Sequence, residues 1–302
     1  MSQPNDLTFR DAWEARDSIT KKQEREIRKL YNEWARQIRE QADMLSKIGT
    51  PESANQAREL AQLYYQLRSA SKQLTTEINT SILDSIEWMA NQVANVNKRW
   101  LMSLGFTSMS IDKKFSLAKD MAIRNIITGG IYNRGYTLSQ RLWDIENFTM
   151  KDIYSIVAQG IAKNMSINDI AKMLQKYLRP DSISPSGVHN RQVDYRARRL
   201  ARTLIQHTYQ QVLVALTKDN PFVHGYMWHA DGYHACELCE SRDGRVYSAE
   251  ELPLDHPNGM CSMEPVIDKY EMVNILSDLM NGQISDNFES FFQGLDFRPD
   301  FD

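Results

Sequence analysis

All three cysteines of the chain fall between Cys236 and Cys261, and His256 stands among them in the pattern C-x2-C-x16-H-x4-C. A Cys-x-x-Cys pair presents two thiolates to one ion from a tight turn, and a later Cys/His pair can complete a tetrahedral site. Cysteines used only as small core hydrophobes need not gather in one place. Their clustering therefore favours a structural zinc site of the Cys3His type on Cys236, Cys239, His256 and Cys261. A reduced or redox-active dithiol, and plain packing, are the alternatives these residues leave open. His229 and His234 are near enough to Cys236 to substitute as ligands, although exposed hairpin positions are their ordinary reading.

An odd number of cysteines does not suit a secreted disulfide framework. The N-terminus, Met1-Ser-Gln-Pro-Asn-Asp-Leu-Thr-Phe9, has no charged stretch followed by an apolar one, and no run of about 18 apolar residues occurs. The expectation is a chain that folds in a reducing cytosol and spans no membrane. With 302 residues, 42% of them hydrophobic, it can bury two domains' worth of core. A net charge of −3 excludes a polycation that binds nucleic acid through its overall charge.

Only 13 Gly and 9 Pro interrupt the chain, so long segments between them read as helices. Ile27, Tyr31, Trp34, Ile38, Leu45 and Ile48 mark one apolar face, stopped by Gly49. Thr50-Pro51-Glu52 is a start signal, with a hydroxyl at the N-cap and proline in the first turn. The stripe that follows runs from Leu60 through Leu63, Leu67, Leu74, Ile78, Ile82, Ile86, Met89, Val93 and Val96. It fits one very long helix, or two with an unmarked break near Ser69–Ser71. Further helices are expected from Leu104 to Gly130 and from Thr149 to Lys163, with a short apolar piece at Leu138–Trp143. Another starts at the capping box Ser166-Ile-Asn-Asp169.

The prolines, serines and glycine between Arg179 and Gly187 read as a linker. The division expected is a helical hairpin or extended helical region over 1–103, a helical domain over 104–178, a linker over 179–190, a module over 191–268 and a helical acidic tail over 269–302. The fold class is mainly α, with long N-terminal helices and a small C-terminal α+β module like a zinc knuckle. After the linker, Arg191, Arg196, Arg198, Arg199 and Arg202 crowd one helix against a single aspartate. Phosphate or an acidic partner can use such a face, and a merely solvated face is the plain alternative. Phe222–Trp228 then reads as a strand, Asp243-Gly244 as a hairpin turn and Met263–Ile267 as a returning strand. So small a sheet suggests that metal supplies the missing folding energy, roughly 10–16 kcal/mol for small structural zinc sites. The acidic, Phe-rich end (Phe288, Phe291, Phe292, Phe297, Phe301) reads as a frayed terminus or a docking segment.

The order Arg199-Leu-Ala-Arg202-Thr203, a strand ending in Trp228, Cys236-x-x-Cys239, Asp243-Gly244-Arg-Val-Tyr247, His256-Pro257-Asn258, Cys261 and Pro265-Val266 resembles the phage Mu F-like minor head protein family. The resemblance covers about residues 190–268 and, less specifically, Gly160–Ile170; the first 100 residues carry no matching motif. Two positions depart from the family pattern. Leu204 stands where an acidic residue usually follows the Arg-Thr pair, and Gly259 takes the place of the first cysteine in His-Pro-x-Cys-x-Cys. The resemblance implies a minor capsid protein of a tailed bacteriophage, assembled in the host cytoplasm and held inside the virion head near the portal protein. It acts there in head morphogenesis or DNA delivery. Capsid or scaffold protein and packaged DNA are further expected partners; no membrane during assembly, no small-molecule substrate and no catalytic activity are expected.

The competing reading is a metal-dependent enzyme. Asp255-His256 beside Cys-x-x-Cys is similar to His-Asn-His nucleases, but these need a further histidine downstream, and His256 is the last in the chain. A zinc deaminase needs His-x-Glu ahead of Pro-Cys-x-x-Cys; no His-x-Glu occurs, and Ala235 precedes Cys236.

Overall fold

A computed structural model describes residues 4–48, 53–163, 165–179, 193–232, 235–283 and 291–298. The described residues are mostly helical, with one small three-stranded sheet. Two long helices open the chain, α1 (Pro4–Ile48) and α2 (Ser53–Ser103). Of the expected stripe, Ile27, Tyr31, Trp34 and Ile38 are buried on α1, and Leu63, Leu67, Leu74, Ile78, Ile82, Ile86, Met89, Val93 and Val96 on α2; the side chains of Leu45, Ile48 and Leu60 lie outside those described. α2 runs unbroken through Ser69–Ser71, where Ser71 itself is buried. Gly49 and Thr50-Pro51-Glu52 lie outside the described residues.

α1 begins well before Ile27. Its first turns bury Phe9, Ala12, Arg16, Ile19 and Gln23, spaced by three and four. That face is helical in period but carries a guanidinium and an amide, which hid it from a purely apolar reading.

The chain packs as two compact units, each assembled from separate segments. One comprises Met1–Thr20, Ser85–Asn133 and Arg202–Asp302; the other comprises Lys21–Asp84 and Arg134–Ala201. The sequence reading instead places its segments end to end. The difference follows from helix length, because α1, α2 and α6 (Tyr195–Thr217) each contribute residues to both units. Of the expected linker over 179–190, only Arg179 is described.

In the second unit, α4 (Leu138–Ala162) joins the two pieces that the sequence separates at Leu138–Trp143 and Thr149–Lys163. Thr137 and Gln140 form a capping box at its start, and Thr149 Oγ1 donates to the Ile145 carbonyl within the helix. α5 (Ile167–Leu178) has Ser166 as its N-cap, whose hydroxyl accepts from Asp169 N, the forward bond of the expected capping box, and donates to the Asp169 carboxylate. At Gly160 any Cβ would collide with the Ile170 side chain, so glycine permits α4 and α5 to approach closely.

The first unit holds α3 (Ser108–Thr128), most of α6, the sheet and α8 (Lys269–Met280). The strands β1 (Val223–His229), β2 (Val246–Tyr247) and β3 (Ser262–Ile267) lie in the order β2-β1-β3, all antiparallel to their neighbours. Tyr226 is the pivot of register, opposite Tyr247 on one side and Pro265 on the other. The sheet is not a separate small knuckle. Its Tyr226, Trp228 and Met263 share one continuous core with Met89, Val93 and Trp100 of α2 and with Ile205, Tyr209 and Val212 of α6. The expectation that metal must hold together an isolated module is therefore corrected: the helices supply the core.

Residues 291–298 are likewise tied down. Phe292 stacks on Phe106 at 5.9 Å, Phe297 bridges to the same residue, and Arg298 N donates to the Gly105 carbonyl at 2.7 Å. Phe288 and Phe301 lie outside the described residues. Among the described residues, no helix is long and apolar enough to cross a membrane.

Candidate metal centre

β1 delivers the chain to a turn capped by the short helix α7 (Glu237–Glu240). Cys236 sits at its N-cap and is exposed, whereas Cys239 is buried. Backbone N–H groups of Cys239 and Leu238 and the Cys239 side chain bond to Cys236, drawing its thiol below the ordinary range. The expected hairpin signal has a defined role: Asp243 accepts from Ala230 N at 2.8 Å, and Gly244 takes the left-handed turn position at φ 71°. Gly244 N then donates to the Trp228 carbonyl at 2.8 Å, returning the chain beside β1.

The closing half is built differently. Residues 253–261 lie against a buried polar face of α6. Gln210 donates to the Pro253 carbonyl and accepts from Asp255 N, at 2.6 and 3.1 Å. His207 Nε2 bonds the Asp255 carbonyl at 2.9 Å, and Gln206 Nε2 reaches the Asp255 carboxylate at 3.0 Å. Thr203 Oγ1 accepts from Asn258 N at 2.9 Å. Because a carbonyl can only accept, His207 carries its proton on Nε2 and takes the Tyr132 hydroxyl on Nδ1 at 2.8 Å. Buried Arg16 of α1 completes the arrangement, donating to the Cys261 carbonyl at 2.8 Å and to Gln206 Oε1 at 3.1 Å.

These two halves bring together two overlapping sets of ligand atoms that share Cys239. In one, Cys236, Cys239 and His256 lie within 4.8 Å of one another; in the other, Cys239, Asp255 and Cys261 do. Cys236, Cys239, His256 and Cys261 thus gather in one cluster that can hold a metal ion. Three free thiols and an imidazole are a soft donor set, suited to a thiophilic ion. His256 Nδ1 faces the Pro257 carbonyl at 3.2 Å and so donates, which leaves Nε2 as the acceptor. Burial raises the thiols of Cys239 and Cys261, with neighbouring side chains adding to the rise at Cys239 and the Asp255 charge adding to it at Cys261. Asp255 is the residue that the sequence reading did not count among the ligands; only its place in the interval between Cys239 and Cys261 hinted at it.

The other candidates lie elsewhere. His229 pairs with Glu264 at 3.1 Å and packs on Trp13, so it does not serve as a substitute ligand; His234 lies outside the described residues. In the arginine run, Arg198 pairs with buried Asp194 at 2.7 Å and Arg196 lies over the Phe148 ring at 3.9 Å. Arg199 is exposed, Arg202 is half-buried, and Arg191 lies outside the described residues. Arg196 and Arg198 thus serve the packing of their own unit.

The chain matches no family model, no curated protein and no solved structure.

Proposed function

We propose that this chain is a minor capsid protein of a tailed bacteriophage, held near the portal protein inside the head, with a structural zinc on Cys236, Cys239, His256 and Cys261. One observation carries the reading: the segment whose ordered motifs resemble the Mu F-like family is the one whose thiols and imidazole converge. The cluster closes the loops of a small sheet whose core is shared with helices, so the ion would fix those loops rather than hold up a free-standing knuckle. The role of the site is to hold a surface in shape for assembly rather than to perform a reaction. The arginine run of Arg191, Arg196, Arg198, Arg199 and Arg202 is proposed to contact packaged DNA or an acidic partner surface, with Arg199 the exposed member among the described residues.

Particles purified from the producing strain are expected to contain the chain in few copies, and it is expected to co-purify with the portal protein when the two are expressed together. Absence from both would overturn the assignment. Protein purified without added metal should carry about one zinc per chain. Less than about 0.2 equivalent, with every thiol free to react, would remove the metal from the proposal. A closed four-ligand site has no open position to activate water. Purified protein with Mg²⁺, Mn²⁺ or Zn²⁺ should leave single- and double-stranded DNA intact; cleavage abolished by His256→Ala would replace the structural reading with an enzymatic one.

A further inference from the structure

Asp255 is close enough to Cys239 and Cys261 to be a ligand, yet its hydrogen bonds describe a different task. One carboxylate oxygen accepts from His256 N at 2.8 Å. The other accepts from Cys261 N at 3.1 Å and from Gln206 Nε2 at 3.0 Å. Its backbone N–H and C=O are both taken by α6, through Gln210 and His207. The residue is 2% exposed, and every one of its polar atoms has a partner. The two amides gripped by the side chain belong to the two ligands of the closing half, His256 and Cys261. The bend between them has a turn in which Gly259 N donates to the His256 carbonyl at 2.9 Å. Asn258 takes φ 73° there, the one positive φ of a residue other than glycine among those described. Gly259 is needed for a separate reason: any Cβ there would run into the Asp255 carboxylate.

We infer that Asp255 is the positioning residue of the metal centre: its carboxylate folds residues 255–261 around itself and so sets His256 and Cys261 in place before any ion binds. This rests on the metal site proposed above. Three N–H donors converge on a group that only accepts when ionised, and one of them, on Gln206, is fixed to a helix. Asparagine would turn an NH2 toward at least one of those donors, leaving a buried donor without its acceptor. Gly259→Ala would displace the same carboxylate without removing it.

The test combines cobalt substitution with amide exchange on wild type, Asp255→Asn, Gly259→Ala and the double variant. Cobalt(II) reports its ligands through thiolate-to-metal and d–d bands. Each single variant should keep the wild-type bands and stoichiometry while binding about 10–100-fold more weakly, the usual effect of removing a group that orients ligands. The double variant should be little worse than either single one, because both disturb one contact. Changed bands or lost stoichiometry in Asp255→Asn would make Asp255 a ligand, and unchanged affinity would make it idle; either result overturns the inference. Amide exchange on metal-free protein separates this from the metal reading. The amides of His256 and Cys261 should be protected in wild type without metal and exposed in Asp255→Asn, and this holds even if the protein binds no ion. Rapid exchange of both amides in metal-free wild type overturns the positioning role, whatever the variants do.

Discussion

The two halves of the cysteine cluster are held by different means. In the opening half, Cys236 is exposed and the turn from Cys236 to Gly244 is fixed by local backbone bonds and by Asp243. In the closing half, five side chains of other elements (Thr203, Gln206, His207, Gln210 and Arg16) bond the segment from Pro253 to Cys261. A metal site in which one half is anchored and the other is local couples binding to the order of the local half alone. Ligand affinity then depends on how well the anchored half is preset, and metal-dependent ordering should be confined to the opening turn.

The comparison can be broken most severely at the residue both halves share. Cys239→Ser should reduce bound metal from about one equivalent to near none, since Cys239 belongs to both ligand sets. Retention of stoichiometric metal would show that the halves do not meet at one ion. Acidity is the next test. The thiols of Cys239 and Cys261 are raised, first by burial, so they are protonated at neutral pH and must release protons on binding. Affinity should therefore fall as pH drops, by roughly tenfold per pH unit for each proton released, measured by competition with a chelating dye. A flat profile between pH 8 and 6 would mean that the thiols are already ionised.

Chelation sharpens the contrast directly. Amides of residues 236–244 should lose exchange protection when metal is stripped, while those of 255–261 should keep theirs. Equal loss in both would end the distinction. Gln210→Ala, which strips the Pro253 carbonyl and Asp255 N of a buried partner, should cost about 1–3 kcal/mol in urea unfolding. The smallest effect is expected at His229→Ala, which should leave metal content unchanged because that ring is engaged by Glu264 and Trp13.

The same contrast marks what the sequence could disclose. The opening half is written in neighbouring letters: Cys-x-x-Cys and Asp-Gly are local signals, although Asp243-Gly244 turns the chain after α7 rather than joining two strands directly. Long apolar stripes were equally readable, as the buried run from Leu63 to Val96 shows. What stayed hidden is polar and distant. Gln206, His207 and Gln210 lie on a helix face that no hydrophobic period would place inside, and Arg16 buries a guanidinium where periodicity expects an apolar side chain. Such residues become intelligible only when the loop that they bind is brought to them. The joining of the short apolar piece at Leu138–Trp143 to the helix expected from Thr149 has a related cause, because Thr149 satisfies its hydroxyl within α4 instead of starting a new helix.

The bond from Arg16 to the Cys261 carbonyl joins positions 245 residues apart. During synthesis, α1 must therefore wait, with a guanidinium destined for burial still facing solvent, until Cys261 has been made. Pairings of such sequence separation slow folding, because a long loop must close before any contact compensates for it. The unit that carries the cluster takes its first segment from Met1–Thr20 and its last from Arg202–Asp302, so neither an early release nor a single cut through the chain can deliver it whole. In a chain wired this way, binding of an ion at the full site would report that synthesis has passed Cys261.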